Sequence, residues 1–199
     1  MGQVTAHVSI SIDGFLAGPD QSESNPLGIG GMRLHEWHLG DVTDPVDVAA
    51  TQDLLKQRGA YIMGRNMFGP IRGDWDREWN GWWGDDPPYH APVFVLTHYA
   101  RESVEMQGGT TFHFVTEGFD AALARAREVA GDLDIGIAGG ASTVRQALRA
   151  GVLDQLTLDV APVVLGAGER LWDEVPDVAL QPVAVAQSPH ATHVTYRIG

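Results

Sequence analysis

The sequence predicts an α/β fold with a mostly parallel central sheet, flanked by helices and closed by a C-terminal antiparallel hairpin. Three observations carry this. Short apolar runs of strand length, such as Val93–Leu96 and Ile135–Ala138, alternate with longer segments of helical period. Glycines stop the helical segments, at Gly59, Gly131 and Gly151. The C-terminal stretch changes character: Val178–Gln187 and Thr192–Ile198 read as two strands around Ser188-Pro189-His190. Strand–helix alternation implies crossover connections and parallel pairing.

Val4 to Ile12 reads as the first strand, because Val4, Ala6, Val8, Ile10 and Ile12 alternate with Thr5, His7, Ser9 and Ser11. Asp13-Gly14 ends it, and a long Gly-rich loop runs to about Thr43; loops of that length inside a compact domain are usually functional. Asp44-Pro45 starts a helix with Asp as N-cap and Pro at the first helical position. Val46, Ala50 and Leu54 mark its apolar stripe. Ala60–Met63 is a buried strand that turns directly into a short helix at Gly64–Phe68. Asp74 to Pro88, with Trp75, Trp79, Trp82 and Trp83, predicts an irregular loop with an aromatic surface. Val93–Thr97 and Thr111–Val115 are further strands. Phe119, Ala122, Leu123, Ala126 and Ala130 give an amphipathic helix. Ile135–Ala138, a helix through Arg149, and the strand Leu156–Val160 complete the order.

Composition excludes several function classes. The chain has 199 residues, 44% hydrophobic, with 13 basic and 26 acidic side chains and a formal charge of −13. That is too apolar for a disordered acidic chain and too acidic for a nucleic-acid binder, which needs a basic stripe. The absence of cysteine removes disulfides, thiolate catalysis and Cys-type zinc sites. No run reaches the roughly 18–20 apolar residues of a membrane span, and the start has no secretory-signal pattern, so a soluble, cytoplasmic protein is expected.

Three turns at strand ends are candidates for holding an anionic ligand. The first, Gly64-Arg65-Asn66-Met67, leads a strand into a helix, where free amides and a guanidinium favour phosphate. A tight turn with a solvated Arg is the alternative. The second, Gly139-Gly140-Ala141-Ser142-Thr143, would let a pyrophosphate approach the backbone; alternatively, its glycines only permit close helix–sheet packing. The third is Thr97-His98 with Arg101. The second turn is not G-x-G-x-x-G and lacks that fingerprint.

In this order the turns resemble the dihydrofolate reductase-like fold, and specifically the stand-alone relatives of the C-terminal reductase domain of riboflavin biosynthesis. The matching stretches are Ser11-Ile12-Asp13-Gly14-Phe15-Leu16-Ala17-Gly18, Met63-Gly64-Arg65 and Ala138-Gly139-Gly140-Ala141-Ser142. Val152-Leu153-Asp154-Gln155-Leu156 leading to Pro162-Val163-Val164-Leu165-Gly166 completes the set. The resemblance covers nearly the whole chain and implies one reductase domain over residues 1–199. It further implies NADPH as cofactor, with Gly64, Arg65 and Asn66 at the phosphates. Thr97, His98 and Arg101 would stand at the adenosine ribose and its phosphate, and Gly139–Thr143 around the pyrophosphate. Asp13 would sit near the nicotinamide. The implied reaction is hydride transfer to a C=N or C=O carbon of a pyrimidine- or pterin-like molecule.

Two departures leave the substrate open. The riboflavin-pathway reductases carry an acid just before the glycine turn, where this chain has Gly136-Ile137-Ala138. Dihydrofolate reductases carry a buried acid on the first helix. Asp47 lies near that place, although a first-turn Asp is equally explained by the helix dipole. In the long loop, Arg33, Trp37 and His38 are candidate substrate contacts. Trp37 would stack on a flat ring and His38 would serve as a proton donor; the same cluster also reads as a surface loop folded onto the tryptophans. His35 and His38 lack zincin spacing, and no metal is expected. A homodimer is expected, as is a small-molecule partner. The competing reading is a non-catalytic or flavin-binding module on the same fold.

Overall fold

The structure is a computed structural model that describes residues 2–199. Its strands are β1 (Val4–Ser11), β2 (Phe15–Ala17), β3 (Ala60–Gly64), β4 (Pro92–Leu96), β5 (Val104–Glu105) and β6 (Thr111–Val115). They continue with β7 (Ile135–Gly139), β8 (Gln155–Ala161), β9 (Glu169–Arg170), β10 (Leu180–Gln187) and β11 (Thr192–Ile198). The helices are α1 (Pro45–Leu54), α2 (Arg65–Phe68), α3 (Phe119–Ala130) and α4 (Ala141–Arg149). Nine strands form one sheet in the order β10-β11-β8-β1-β7-β3-β4-β6-β5, and β2 pairs with β9 separately. The neighbours from β8 through β6 are parallel; β11, β10 and β5 are antiparallel. The predicted class and hairpin are both present.

The pleat decides what covers each face. On one face Val4, Ala6, Val8 and Ile10 of β1 join Ile62, Ile137, Leu156 and Leu158 in a core closed by α3 and α4. Ala122, Ala126, Val144 and Ala147 are fully buried there. The other face has two different patches. Over β3, β4 and β6 lie Tyr61, Met63, Val93, Val95 and Phe112, with Phe68 and Tyr89, and they are covered by the tryptophan loop rather than a helix. Trp75, Trp79 and Trp83 pack against this cluster, and Trp79 Nε1 donates to the Phe68 carbonyl at 3.0 Å. The expected aromatic surface is therefore largely an inward-facing lid. The other patch, over β1, β8 and β11, is polar and lies beneath α1 and the 31–38 segment.

Two elements differ from expectation. β1 is buried along both faces, not one, because a polar cluster fills its outer side. In α1, Asp44 caps as expected, accepting from Val46 N at 2.9 Å. Its fully buried residue, however, is Asp47, while Val46, Ala50 and Leu54 are half-buried. The helix also ends at Leu54, ahead of Gly59. Among the described residues no helix is long and apolar enough to cross a membrane.

Candidate functional site

Parallel strands bring the three predicted turns to one edge of the sheet. Gly64 pairs with Leu96, and Met63 with Gly139, so the ends of β3, β4 and β7 are level. At the last of these the Gly139–Gly140 peptide is cis, and Gly139 has φ 123°, a backbone state that favours glycine. Gly140 precedes α4 with φ −75°, and a Cβ there would meet nothing within 4 Å. Neither backbone state nor packing accounts for that glycine. No side chain caps α4, so its first-turn amides face this space, beside the exposed Ser142 hydroxyl. Thr143 points inward and is buried.

Gly64 has a different reason to be glycine. A Cβ there would come within 2.8 Å of Thr143 Oγ1, so this glycine lets β3 and α4 approach. Close packing thus explains Gly64, where a tight turn with a solvated Arg is the alternative reading, but it does not explain Gly140.

Arg65 is committed to the protein on three sides. Nε donates to the Ile71 carbonyl at 3.0 Å, Nη1 to Thr97 Oγ1 at 2.9 Å, and Nη2 to the Gly73 carbonyl at 2.5 Å. Its guanidinium lies 3.8 Å from the Trp75 ring centroid. Arg101 stacks on the same indole at 4.9 Å and donates to the Trp79 carbonyl and Asn80 Oδ1. Burial lowers the Arg65 pKa, and the nearby Arg72 and Arg101 charges lower it further against Tyr99 and Asp74. A basic cluster thus stands at one end of an otherwise acidic chain. Thr97 is buried and accepts from both Arg65 and Tyr99 N, whereas His98 is exposed. Asn66 is exposed and lines an open cleft of ≈ 370 Å³ with Gly18, Pro19, Arg72 and Gly168. Arg72 joins this cleft although nothing in its sequence context marks it.

Asp13 ties two loops together. Its oxygens accept from Leu165 N at 3.1 Å and Gly166 N at 2.7 Å. A hydrogen bond from Ser11, joined by these amides, holds its pKa down at about 2 against the opposing effect of desolvation. The carboxylate is thereby placed at the end of β1 with both oxygens occupied by backbone.

The other polar candidates meet under α1. Asp47 is fully buried, and its Oδ1 lies 3.0 Å from His193 Nε2; His193 Nδ1 lies 2.7 Å from Asp159 Oδ1. Burial disfavours the His193 cation, but hydrogen bonds to Asp159 and Asp47 outweigh that and raise its pKa. For Asp159 burial acts upward, and hydrogen bonds from His193 and His7 bring the net shift downward. Trp37 is 1% exposed; its Nε1 donates to Ser9 Oγ at 2.9 Å, and its ring packs edge-on to His193 at 4.9 Å. His38 Nε2 lies 2.9 Å from His35 Nδ1, and burial lowers both histidines, His35 to about 4. Arg33 is exposed and away from this cluster's bonds.

His7, Asp159 and His193 carry no signal in the sequence, because each sits at an ordinary alternating strand position. Only pairing reveals them: His193 and Ser9 are both register partners of Asp159. Because Ala6 pairs with Ile137, β7 runs out beside the middle of β1, where His7 lies.

Comparison with known proteins gives the same fold. The family model described as RibD C-terminal domain matches residues 3–194. Among curated proteins none matches the sequence. A Shewanella sp. PV-4 structure named for riboflavin biosynthesis superposes with a TM-score of 0.67 at 20% identity, covering 100% of this chain and 99% of that one. A pyrimidine reductase-like protein of Corynebacterium diphtheriae gives 0.59 at 16% identity, covering 100% and 92%. Acinetobacter baumannii RibD gives 0.61 at 15% identity; this chain is covered in full and spans 58% of that protein.

Proposed function

Because the chain belongs to the RibD C-terminal domain family, we propose that it is an NADPH-dependent reductase of a small heterocyclic or carbonyl compound. Family membership itself carries a reductase role of the riboflavin-pathway kind. The observation that supports a dinucleotide is the open space at Gly140 above the uncapped start of α4. When bound, reduced nicotinamide supplies a hydride to a C=N or C=O carbon.

The protein's part is to bind, orient and exclude water. Ala141, Ser142 and the first-turn amides of α4 fit a pyrophosphate. Arg65 keeps donor hydrogens beyond its three protein acceptors, and with Arg72 and Arg101 it suits an additional phosphate. Exposed His98 and Asn66 border the same edge. Asp13 holds the Leu165–Gly166 turn against the end of β1, which shapes the wall facing the reacting ring. On the substrate side stand Asp47, Trp37 and His38; Asp47, whose Oδ1 lies 3.0 Å from His193 Nε2, is assigned as the proton donor. A cytoplasmic homodimer goes with this role, and the exposed Val183 and Val185 on edge strand β10 support the second subunit.

The test is oxidation of NADPH, followed by absorbance, against pyrimidines and pterins with reducible C=N or C=O groups. Turnover of at least one is expected. A purified protein that carries flavin and leaves every such compound unreduced would favour the flavin-binding module.

A further inference from the structure

Five side chains make one continuous polar path on the face of the sheet that α1 covers. Asp47 Oδ1 lies 3.0 Å from His193 Nε2, and His193 Nδ1 2.7 Å from Asp159 Oδ1. Asp159 Oδ2 lies 2.9 Å from His7 Nε2, and His7 Nδ1 3.5 Å from Asp53 Oδ2. Asp47 and Asp159 are fully buried, and His7 and His193 nearly so, whereas the Asp53 side chain is 53% exposed. One end of the path is therefore wet and the other dry. At the dry end Asp47 Oδ2 is buried with no hydrogen-bond partner; both His7 nitrogens and Asp159 Oδ2 also lack hydrogen-bond geometry, so the His7–Asp159 step is a 2.9 Å approach that must align to pass a proton. A bare carboxylate oxygen in a closed interior is costly, and native folds rarely leave one without a use.

We propose that Asp53, His7, Asp159 and His193 are a proton relay from solvent to Asp47, and that Asp47 passes the proton to the substrate's heteroatom. This rests on the reductase reading above. His193 suits the central place because its two nitrogens face two different carboxylates, so a proton can arrive at Nδ1 and leave at Nε2 without ring rotation. The groups around it are Asp47 from α1, Asp159 from β8 and Trp37 from the 31–38 segment. Behind Asp159 stand His7 from β1 and the His35 and His38 imidazoles, which burial holds toward the neutral form. Asp47 is fully buried and the Trp37 indole packs edge-on to His193 at 4.9 Å, so substrate access to Asp47 requires movement of the elements that cover it.

The balance is simple. Reduction brings one hydride, with both electrons, to the carbon, and the heteroatom takes a proton from the Asp47 carboxyl as the π bond opens. Asp47 regains a proton from His193 Nε2. His193 regains one at Nδ1, passed through Asp159 from His7, and His7 takes one from water at Asp53. The substrate gains one hydride and one solvent proton, His7 and His193 end with their protons moved from Nε2 to Nδ1, and return of each imidazole to its first tautomer resets the relay before the next turnover. Asp47 is the catalytic residue; the other four act through it.

Solvent exchange of the His193 ring N–H protons, followed by ¹⁵N NMR on the protein alone, tests the relay without cofactor or substrate. Asp53→Asn is at the surface and is expected to keep its melting temperature while slowing that exchange several-fold; His7→Gln should slow it as well. Exchange as fast in Asp53→Asn as in the parent, in a folded protein, would overturn the relay. In turnover, Asp53→Asn should lower kcat and enlarge the solvent isotope effect, with KM for NADPH unchanged. An unchanged kcat and isotope effect would also overturn it. Failure to bind NADPH would instead sink the reductase reading, and the NMR result would still stand or fall by itself.

Discussion

Thr143 Oγ1 lies 2.8 Å from the point where a Cβ on Gly64 would sit, whereas a Cβ on Gly140 would meet nothing within 4 Å. Two glycines at one corner of the sheet thus have different causes. Gly64 lets the end of β3 approach α4. Gly140 leaves room above the first turn of α4.

Gly64→Ala should therefore destabilise the fold by roughly 1–3 kcal/mol through overpacking. Thr143→Ala in that background should recover part of the loss. Gly140→Ala should cost less stability than Gly64→Ala and yet weaken NADPH binding more. Urea unfolding and cofactor titration of the three variants check this; equal stability losses at Gly64 and Gly140 would contradict it.

Stability should fall as pH drops from 6.5 toward 4. Burial, with repulsion from His38, holds His35 at about 4, whereas an unfolded His takes its proton near 6.5. Between those values the unfolded chain binds more protons, so acid favours unfolding by up to about 3 kcal/mol. His38, also lowered by burial, acts in the same direction. His193 does not mask this: its pKa is raised, so its contribution is complete below 6.5 and is lost only as pH rises through the raised value. Asp159, lowered, loses its contribution only in stronger acid. Urea unfolding at pH 7, 6, 5 and 4.5 measures the slope, and His35→Gln should flatten it.

Much of the fold was legible because local signals agree with it. Asp44-Pro45 caps α1, Gly131 follows α3, and the hairpin strands alternate as written. The adjacency of the glycine turns was legible because the ends of parallel strands share one edge of the sheet. The Asp47–His193–Asp159–His7 cluster was not, since its members are spread from position 7 to 193 and only strand register joins them. Periodicity also misled at α1, where the helix buries a carboxylate against the sheet instead of its apolar stripe. The tryptophan loop read as surface because nothing local reveals that β3, β4 and β6 lack a helix on that face.

Arg65 should prove to be both a tether and a ligand. Arg65→Lys keeps the charge but loses the three-way fork to Ile71, Gly73 and Thr97, so loop 69–74 should loosen and protease cleavage there should rise. Arg72→Ala breaks one bond, to the Gly69 carbonyl, and should weaken NADPH more than NADH. Limited proteolysis and paired titrations distinguish the two effects; equal weakening of both cofactors in Arg72→Ala would remove the added-phosphate role from that residue.

Removing the lid over the second apolar patch should be costly. Trp83 stacks on Phe112 with ring centroids 6.0 Å apart and meets Tyr89 edge-on at 5.1 Å. Trp83→Ala should destabilise by about 2–4 kcal/mol, toward the low end of large aromatic truncations because the side chain is only half-buried. It should also increase binding of a hydrophobic dye. Trp82→Ala, whose ring contact is to Trp79, should cost less. Thermal melts of both variants check the order.

The central claim is that the open corner above α4, with the basic cluster at Arg65, holds a reduced nicotinamide dinucleotide phosphate. Titration of the purified protein with NADPH, followed by the fluorescence of the tryptophans beside Arg65, tests it most directly. The account predicts saturable quenching at micromolar NADPH and weaker binding of NADH. No quenching by either up to millimolar concentration would contradict it.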